Sequence, residues 1–258
     1  MCRAGNSVSS RYKHLEGDED SLAIWFGHMK NDQEGDRQLD PQHIFANPME
    51  PDICPILSLA IYSAVVGLSK TSLLFPGQNQ YDRYSRILKG VMDISSVAEE
   101  MDIAGRVPSD YGSHSARKGS STYVSGCYTG GPSSASVCLR AGWNLPGVQD
   151  TYVRYEAAGD GVVGRFIAGL PYETPDFAIL PPFFDSVDDN ACTFMLASLV
   201  HHSEHLKQTL SQDHLLFSTS LFGDTTLLSE LTTKEYADVG KQETLFEQVE
   251  YLRILEWL

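Results

Sequence analysis

The sequence predicts a mainly α-helical protein with one small antiparallel β-sheet, which places it in the α+β fold class. Hydrophobic residues make up 42% of the 258 residues, enough to bury a substantial core. Most apolar segments repeat with the helical period, whereas a single stretch, residues 21–48, combines strand-forming residues with turn chemistry. The sequence contains no internal repeats, so each helix or strand is predicted from its own local pattern.

The single strand-forming stretch predicts a β-hairpin. Ile24, Trp25 and Phe26 favour a strand, and the "NDQEGD" segment that follows is rich in turn-forming residues. The next segment, residues 53–68, predicts a buried helix with Pro55 near its start. Its longest apolar run, residues 55–69, is too short to span a bilayer.

The remaining segments predict helices. Residues 79–101 form an amphipathic pattern, and a further helix is expected to begin near Ser113 or His114. Glycines predict where two later helices end, Gly142 for residues 133–143 and Gly159 for residues 147–159. Residues 170–184 contain four prolines and are expected to be irregular, while residues 189–210 and 241–258 again show helical periodicity.

The charge pattern excludes a protein with a positive field over its whole surface. The formal net charge is -15. Residues 185–258 contribute 4 Lys and Arg against 13 Asp and Glu, and residues 1–184 contribute 15 against 21. Any site for an anion such as a DNA phosphate must therefore be local.

The five cysteines and the first residues of the chain predict a soluble intracellular protein. The number of cysteines is odd and no pair has C-x-x-C spacing, which favours reduced thiols over a disulfide scaffold or a zinc ribbon. The opening "MCRAGNSVSS" lacks the apolar segment of a secretory signal. We expect no membrane partner.

A cluster of cations stands out in this acidic chain. The stretch "YGSHSARKGSSTY" contains His114, Arg117 and Lys118 within five residues. On a helix, His114 and Arg117 lie on one face, and an arginine fork is well suited to a phosphate. Taken alone, the same two residues fit a helix cap or a surface ion pair better, since such short patterns are common.

Downstream residues extend the pattern. Gly142 and Trp143 follow the cation cluster, and Tyr152 comes nine residues after Trp143. Upstream lie Arg3 in "CRAGN" and Lys30 in "HMKNDQEG". The order Arg, Lys, His-x-x-Arg, Trp, Tyr is that of the tyrosine recombinase and integrase superfamily, with Trp in a position that is often His.

Longer segments sharpen this likeness. "RAGNSV", "HMKNDQEGDR", "DPQHIFANP", "HSARKGSSTY", "LRAGWNLPGVQDTYVRYEAAGD" and "VGRFIAGLP" resemble the Crypton-type tyrosine recombinases of eukaryotic mobile elements. The resemblance extends from Arg3 to about Phe184. It implies the catalytic-domain fold of that superfamily over residues 1–184, followed by an acidic helical extension over residues 185–258. It also implies that the chain is truncated, because the superfamily's upstream helices and DNA-clamping domain have no counterpart here.

The resemblance implies a chemistry that uses neither a metal nor another cofactor. Tyr152 would attack a DNA phosphodiester, form a 3′-phosphotyrosyl link and release a 5′-hydroxyl. Arg3 and Arg117 would bind the non-bridging oxygens, and Lys30 would protonate the leaving oxygen. The remaining catalytic residues would be His114, for proton transfer, and Trp143, as a donor that also packs near the nucleophile.

The implied partners are duplex DNA and further copies of the chain, assembled on DNA in the nucleus. Residues near the catalytic set would contact the DNA backbone, and we expect four of them to do so: Lys118, Ser120, Ser121 and Arg140. For Arg140, an ion pair within its own helix is the more common use of such a residue. For Lys118, a solvated surface charge is an equally acceptable interpretation.

Three alternatives stay open from the sequence. Tyr155 lies three residues after Tyr152 and is a rival nucleophile, although the nine-residue spacing favours Tyr152. The segment "HHSEH", residues 201–205, matches the inverted zincin pattern H-x-x-E-H, but no third ligand is evident and an amphipathic helix explains it better. A recombinase fold that has lost catalysis and only binds DNA is the main functional alternative.

Overall fold

The computed structural model describes residues 4–26, 41–67, 73–126, 130–143, 157–184 and 191–236. Within these ranges the chain is mainly helical, as predicted. The helices are α1 (Ala4–Ser9), α2 (Pro55–Val66), α3 (Gln80–Met92), α4 (Ser95–Ile103), α5 (Ser113–Gly126), α6 (Ser134–Ala141), α7 (Ala157–Ile167), α8 (Ala191–His201), α9 (Ser203–Thr209), α10 (Ser220–Gly223) and α11 (Thr225–Lys234). The strands are β1 (Leu15–Gly17), β2 (Leu22–Ile24), β3 (Gln42–Ile44), β4 (Phe183–Phe184) and β5 (Glu235–Tyr236).

The chain divides into two compact units, each assembled from three separate stretches. The first unit comprises Met1–His14, Phe26–Asp40 and Lys70–Asp160. The second comprises Leu15–Trp25, Pro41–Ser69 and Gly161–Leu258. The predicted division at residue 184 concerns function rather than compactness and stays a prediction.

The small antiparallel sheet lies in the second unit. β2 is the central strand and pairs with β1 and β3, with Leu22 opposite Ile44. All three residues of β2 are buried, because the strand is covered on both faces. The predicted hairpin is confirmed for β2 and β3, and its turn lies outside the described residues. β1 was not predicted, since "LEG" has no strand pattern, and the short β4–β5 pair was also missed.

Helix α8 forms the centre of the second unit. It packs against α2, β1, β4 and α11, and seven of its eleven residues are buried. The predicted helix α2 is confirmed, and the Cys54 thiol caps it by accepting the Leu57 N–H. A left-handed Gly67, with φ of 69°, ends α2. The predicted helix over residues 189–210 is in fact two helices, α8 and α9, with His202 between them.

Helix α7 approaches strand β3 closely in the second unit. A Cβ added to Gly164 would lie 2.7 Å from the His43 carbonyl oxygen and 2.8 Å from the Phe45 ring. One residue on, the Arg165 guanidinium lies 4.4 Å from the centre of the Phe45 ring and pairs with Asp20. Burial lowers the pKa of Arg165, and Asp20 acts in the opposite direction. These contacts lock α7 against the sheet.

The first unit contains α1 and the helices α3 to α6. α3 contacts α1, α4 and α5, and α5 contacts α6. The single helix predicted for residues 79–101 is wrong, because the chain leaves helical geometry at Ile94, with φ of -65° and ψ of 130°. The predicted apolar face of α3 is only partly covered by the described residues. Its predicted apolar positions are Tyr84, Ile87, Leu88 and Val91, of which Leu88 is half-buried and the other three are exposed.

Two further predictions, on a helix end and on an irregular segment, have opposite outcomes. The predicted helix end at Gly159 is wrong, because α7 begins at Ala157 and continues through this glycine to Ile167. The irregular segment predicted for residues 170–184 is confirmed: it contains one 3-10 turn, Pro175–Ala178, and the two-residue strand β4. The predicted helix over residues 241–258 lies outside the described residues. No helix in the described ranges combines the length and the apolarity needed to cross a membrane.

Candidate functional site

Helix α5 carries the cation cluster and begins where the sequence predicted. Its first turn is fixed by Ser115, whose hydroxyl accepts the Gly112 N–H at 2.9 Å while the Ser115 N–H donates to the Gly112 carbonyl at 2.9 Å. His114 and Lys118 are exposed, and Arg117 is half-buried. The helix thus presents His114 and Lys118 at the surface, beside the partly covered Arg117.

The end of α6 forms a Schellman turn in the same unit. Gly142 has φ of 61°, which glycine adopts at little cost. Its N–H donates to the Leu139 carbonyl and the Trp143 N–H donates to the Cys138 carbonyl, both at 2.9 Å. This turn places Trp143 directly after the end of α6, and its side chain is 39% exposed.

Arg117 joins the two helices. Its Nη2 group donates to the Ala141 carbonyl oxygen, and its guanidinium carbon lies 5.4 Å from the centre of the Trp143 ring. A cation at the carboxyl end of α6 is also favoured by the helix dipole. The structure therefore brings together two of the predicted catalytic residues, Arg117 and Trp143, with His114 one turn away on α5.

The hydroxyls predicted to bind DNA face their own helix. Ser120 Oγ donates to the Ala116 carbonyl at 2.8 Å, and Ser121 Oγ donates to the Arg117 carbonyl at 2.8 Å. Ser121 is buried, and Ser120 is half-buried. Ser121 in this conformation is a residue of the helix interface, whereas Lys118 is accessible to a phosphate.

Arg140 is buried, which does not fit a contact with DNA. Its Nη1 lies 2.6 Å from Asp160 Oδ2, and the two side chains are 5% and 3% exposed. Nη1 also donates to the Asp160 backbone carbonyl at 3.2 Å. The ion pair joins α6 to the start of α7 and is not the pair within one helix that the sequence suggested. In this conformation the Arg140 side chain is buried in the ion pair with Asp160, and its predicted contact with DNA stays a prediction.

Two contacts around the start of α5 were missed by sequence reasoning. Tyr81 on α3 shares a hydrogen bond with Ser113 Oγ at 3.1 Å, and Arg106 donates to the Tyr111 hydroxyl at 3.3 Å. Tyr81 and Ser113 are 32 residues apart, so no local pattern connects them. Together these contacts hold the loop that leads into the cation cluster.

The other predicted catalytic residues, Arg3, Lys30 and Tyr152, lie outside the described residues, as does the rival nucleophile Tyr155. The described residues next to Arg3 and Tyr152 in sequence belong to the first unit, whereas Phe26 and Pro41, on either side of Lys30, belong to different units. Helix α1 begins one residue after Arg3 and contacts α3, which in turn contacts α5. Trp143 and Asp160, on either side of Tyr152 in sequence, are both part of this unit.

Two of the three histidines of "HHSEH", His201 and His205, pair with separate carboxylates in the second unit. His201 Nδ1 lies 2.8 Å from Glu235 Oε1, and His205 Nε2 lies 3.2 Å from Asp52 Oδ1. Among the described residues, no group of three or more His, Cys, Asp or Glu side chains is arranged to hold a metal ion. The zinc-hydrolase alternative gains no support from this arrangement.

The two units differ sharply in charge. The stretches of the first unit contain 14 Lys and Arg against 13 Asp and Glu, a net charge of +1. Those of the second unit contain 5 against 21, a net charge of -16. The acidity of the chain therefore belongs to the second unit, and the cation cluster lies in the unit that is close to neutral.

Comparisons of the chain with protein-family models, with curated proteins and with solved structures found no match.

Proposed function

We propose that this chain is the catalytic core of a tyrosine recombinase, which breaks and rejoins DNA strands during recombination or integration of a mobile element. The observation that carries the proposal is the contact between Arg117 and Trp143, with His114 exposed one turn from Arg117. Arg117 lies on α5 and Trp143 follows the end of α6, so they are separated in sequence and their approach supports the motif order. The fold proposed with it is the superfamily's catalytic-domain fold.

The proposed reaction is a transesterification at phosphorus. The Tyr152 hydroxyl oxygen bonds to the scissile phosphorus, and the bond to the 5′-oxygen breaks. The tyrosine proton passes to His114, and Lys30 gives a proton to the departing 5′-oxygen. Arg3 and Arg117 stabilise the charge on the non-bridging oxygens. Rejoining is the reverse reaction, so the bond energy is retained and no nucleotide cofactor is required.

The charge distribution supports duplex DNA as the partner. A strongly acidic surface repels phosphates, and the unit that contains the cation cluster carries no net negative charge. Lys118 is the exposed cation that we propose as a DNA-backbone contact. Assembly of several copies on DNA, in the nucleus, belongs to the same proposal.

A covalent trap tests the proposal on DNA of randomised sequence. The chain is incubated with a pool of duplexes that carry a nick beside a randomised segment, so that cleavage releases a short fragment and prevents rejoining. We expect an adduct that resists denaturation, with DNA attached through a 3′-phosphate to Tyr152. Mass spectrometry of the peptide identifies the attachment site, and sequencing of the trapped DNA identifies the target.

Matched variants decide the role of each tyrosine. The Tyr152→Phe variant is expected to form no adduct, whereas the Tyr155→Phe variant is expected to form it as the wild-type chain does. Attachment at Tyr155 would transfer the nucleophile assignment to that residue. Duplex binding with no adduct in the wild-type chain would overturn catalysis and favour the DNA-binding alternative that has lost activity.

A further inference from the structure

The turn at the end of α6 holds the Arg117 guanidinium in two ways, through a carbonyl and through an aromatic ring. We propose that Trp143 is a positioning residue that acts through Arg117, with its ring orienting the guanidinium rather than its indole N–H binding the phosphate. The inference rests on the proposed function and deepens it by assigning a separate role to one member of the site.

The two contacts fix different degrees of freedom of the arginine. The Trp143 ring, whose centre lies 5.4 Å from the guanidinium carbon, restricts where the fork can lie and does not compete for its N–H groups. The Ala141 carbonyl accepts from Nη2 and thereby sets how the fork is rotated within the plane. An arginine held in this way has less rotamer freedom to lose when a phosphate binds.

The turn that supplies both contacts is itself well anchored. The left-handed Gly142 and the two hydrogen bonds of the Schellman turn fix its backbone. The nearby Arg140 forms the buried ion pair with Asp160 at the start of α7. Neighbouring residues thus serve different partners: Arg140 binds Asp160, whereas Ala141 and Trp143 bind Arg117. A ring that orients an arginine needs a rigid support of this kind.

Substitutions at Trp143 separate ring stacking from hydrogen-bond donation. Trp143→Phe keeps an aromatic face and removes the N–H, whereas Trp143→Ala removes both. If the ring acts through Arg117, adduct formation on the nicked duplex pool should fall about 3- to 30-fold in Trp143→Ala, the range expected for a cation–π contact. Trp143→Phe should retain activity within about threefold. Trp25→Ala, at a similarly exposed tryptophan of the second unit, is the matched control and should show the wild-type rate.

A double-mutant cycle tests whether the effect passes through Arg117. In an Arg117→Lys background, Trp143→Ala should lower adduct formation by less than about threefold, because a lysine ammonium has no plane for the ring to orient. Equal losses in the two backgrounds would overturn the inference, as would a Phe variant as damaged as the Ala variant. Either result would show that the indole acts on the reaction independently.

A spectroscopic measurement distinguishes failure of this inference from failure of the proposed function. The Arg117 Nε–H resonance is followed by NMR in the wild-type chain without DNA. We expect Trp143→Ala to shift it through loss of the ring current, and Trp143→Phe to shift it less. An unchanged resonance in Trp143→Ala would overturn the positioning role. A shifted resonance in a chain that forms no adduct would retain the arginine–ring contact and reject only the recombinase.

Discussion

Asn47 is completely buried, and both ends of its side-chain amide have partners. Nδ2 donates to the Ala168 carbonyl at 3.1 Å, while Oδ1 accepts the backbone N–H groups of Met49 and Glu50 at 3.1 and 3.0 Å. His202 is the contrasting case in the same unit. It is 5% exposed, and its Nε2 has no hydrogen-bond partner among the described residues. A buried polar group costs stability unless it is paired, and of these two residues only His202 also titrates.

Because of His202, we expect the folded chain to lose stability in mild acid. Burial, helped by the nearby His201 and His205, lowers its pKa from 6.5 to about 4. The unfolded chain therefore binds a proton at higher pH than the folded chain does, and stability falls as the pH decreases from about 6.5 to about 4. The loss is at most about 3 kcal/mol. Chemical denaturation at several pH values measures it.

The matching variant removes the titrating group. His202→Phe should flatten the dependence of the unfolding free energy on pH between about 6.5 and 4. His205→Gln is the control, because His205 is a partly exposed residue paired with Asp52, and most of the slope should remain. A slope that is unchanged in His202→Phe would contradict the assignment.

At the scale of elements, helix α7 shows how a close approach selects glycine. Glycine in the interior of a helix usually costs about 1 kcal/mol relative to alanine. α7 nevertheless contains Gly161 and Gly164, one turn apart. A Cβ at Gly164 would meet the His43 backbone carbonyl, which cannot move without disturbing β3, whereas a Cβ at Gly161 would make an ordinary 3.7 Å contact with Phe45. The helix and the sheet can therefore pack at this distance only through Gly164.

The two glycines predict opposite effects of the same substitution. Gly164→Ala should destabilise the chain by about 1–3 kcal/mol, because overpacking outweighs the gain in helix propensity. Gly161→Ala should be neutral or stabilising by up to about 1 kcal/mol. Urea denaturation of both variants measures the difference, and equal effects at the two positions would contradict the close packing of α7 on β3.

At the scale of the whole molecule, the two units have very different charge. The first has a net charge of +1 and the second of -16. This contrast in charge is not visible when Lys, Arg, Asp and Glu are counted before and after residue 184. The reason is that β1, β2, β3 and α2 lie before that position but belong to the acidic unit. A chain of this kind should bind DNA through one unit only, and the binding should be weak because the other unit repels phosphates.

DNA binding should therefore depend steeply on salt and on cations of the first unit. Fluorescence anisotropy with a labelled duplex at several salt concentrations gives the slope of the logarithm of affinity. Lys118→Gln should reduce the magnitude of that slope by about one. Lys207→Gln, at a cation of the second unit that pairs with Glu204, should leave it unchanged. Affinity that is insensitive to salt, or equal effects of the two variants, would contradict DNA binding by the first unit.

The sequence by itself determined the fold class, most helices and the β2–β3 pairing. These features depend on local patterns: helical periodicity, Pro55 at the start of α2, and Gly142 at the end of α6. It also determined which residue types could serve a phosphate, since His114, Arg117 and Lys118 are close together in the chain. The predicted helix boundaries were wrong where tertiary contacts outweighed local preference, as at Gly159, which lies inside α7.

Only the tertiary structure decided which basic residues near the predicted motif are accessible and which are buried against other parts of the fold. Arg140 and Arg117 are both arginines near the predicted motif, yet Arg140 is buried against Asp160 and Arg117 contacts the Trp143 ring. The choice depends on partners that are distant in sequence, which no local pattern encodes. The division of charge between the units has the same origin, because each unit is assembled from stretches that are far apart in the chain.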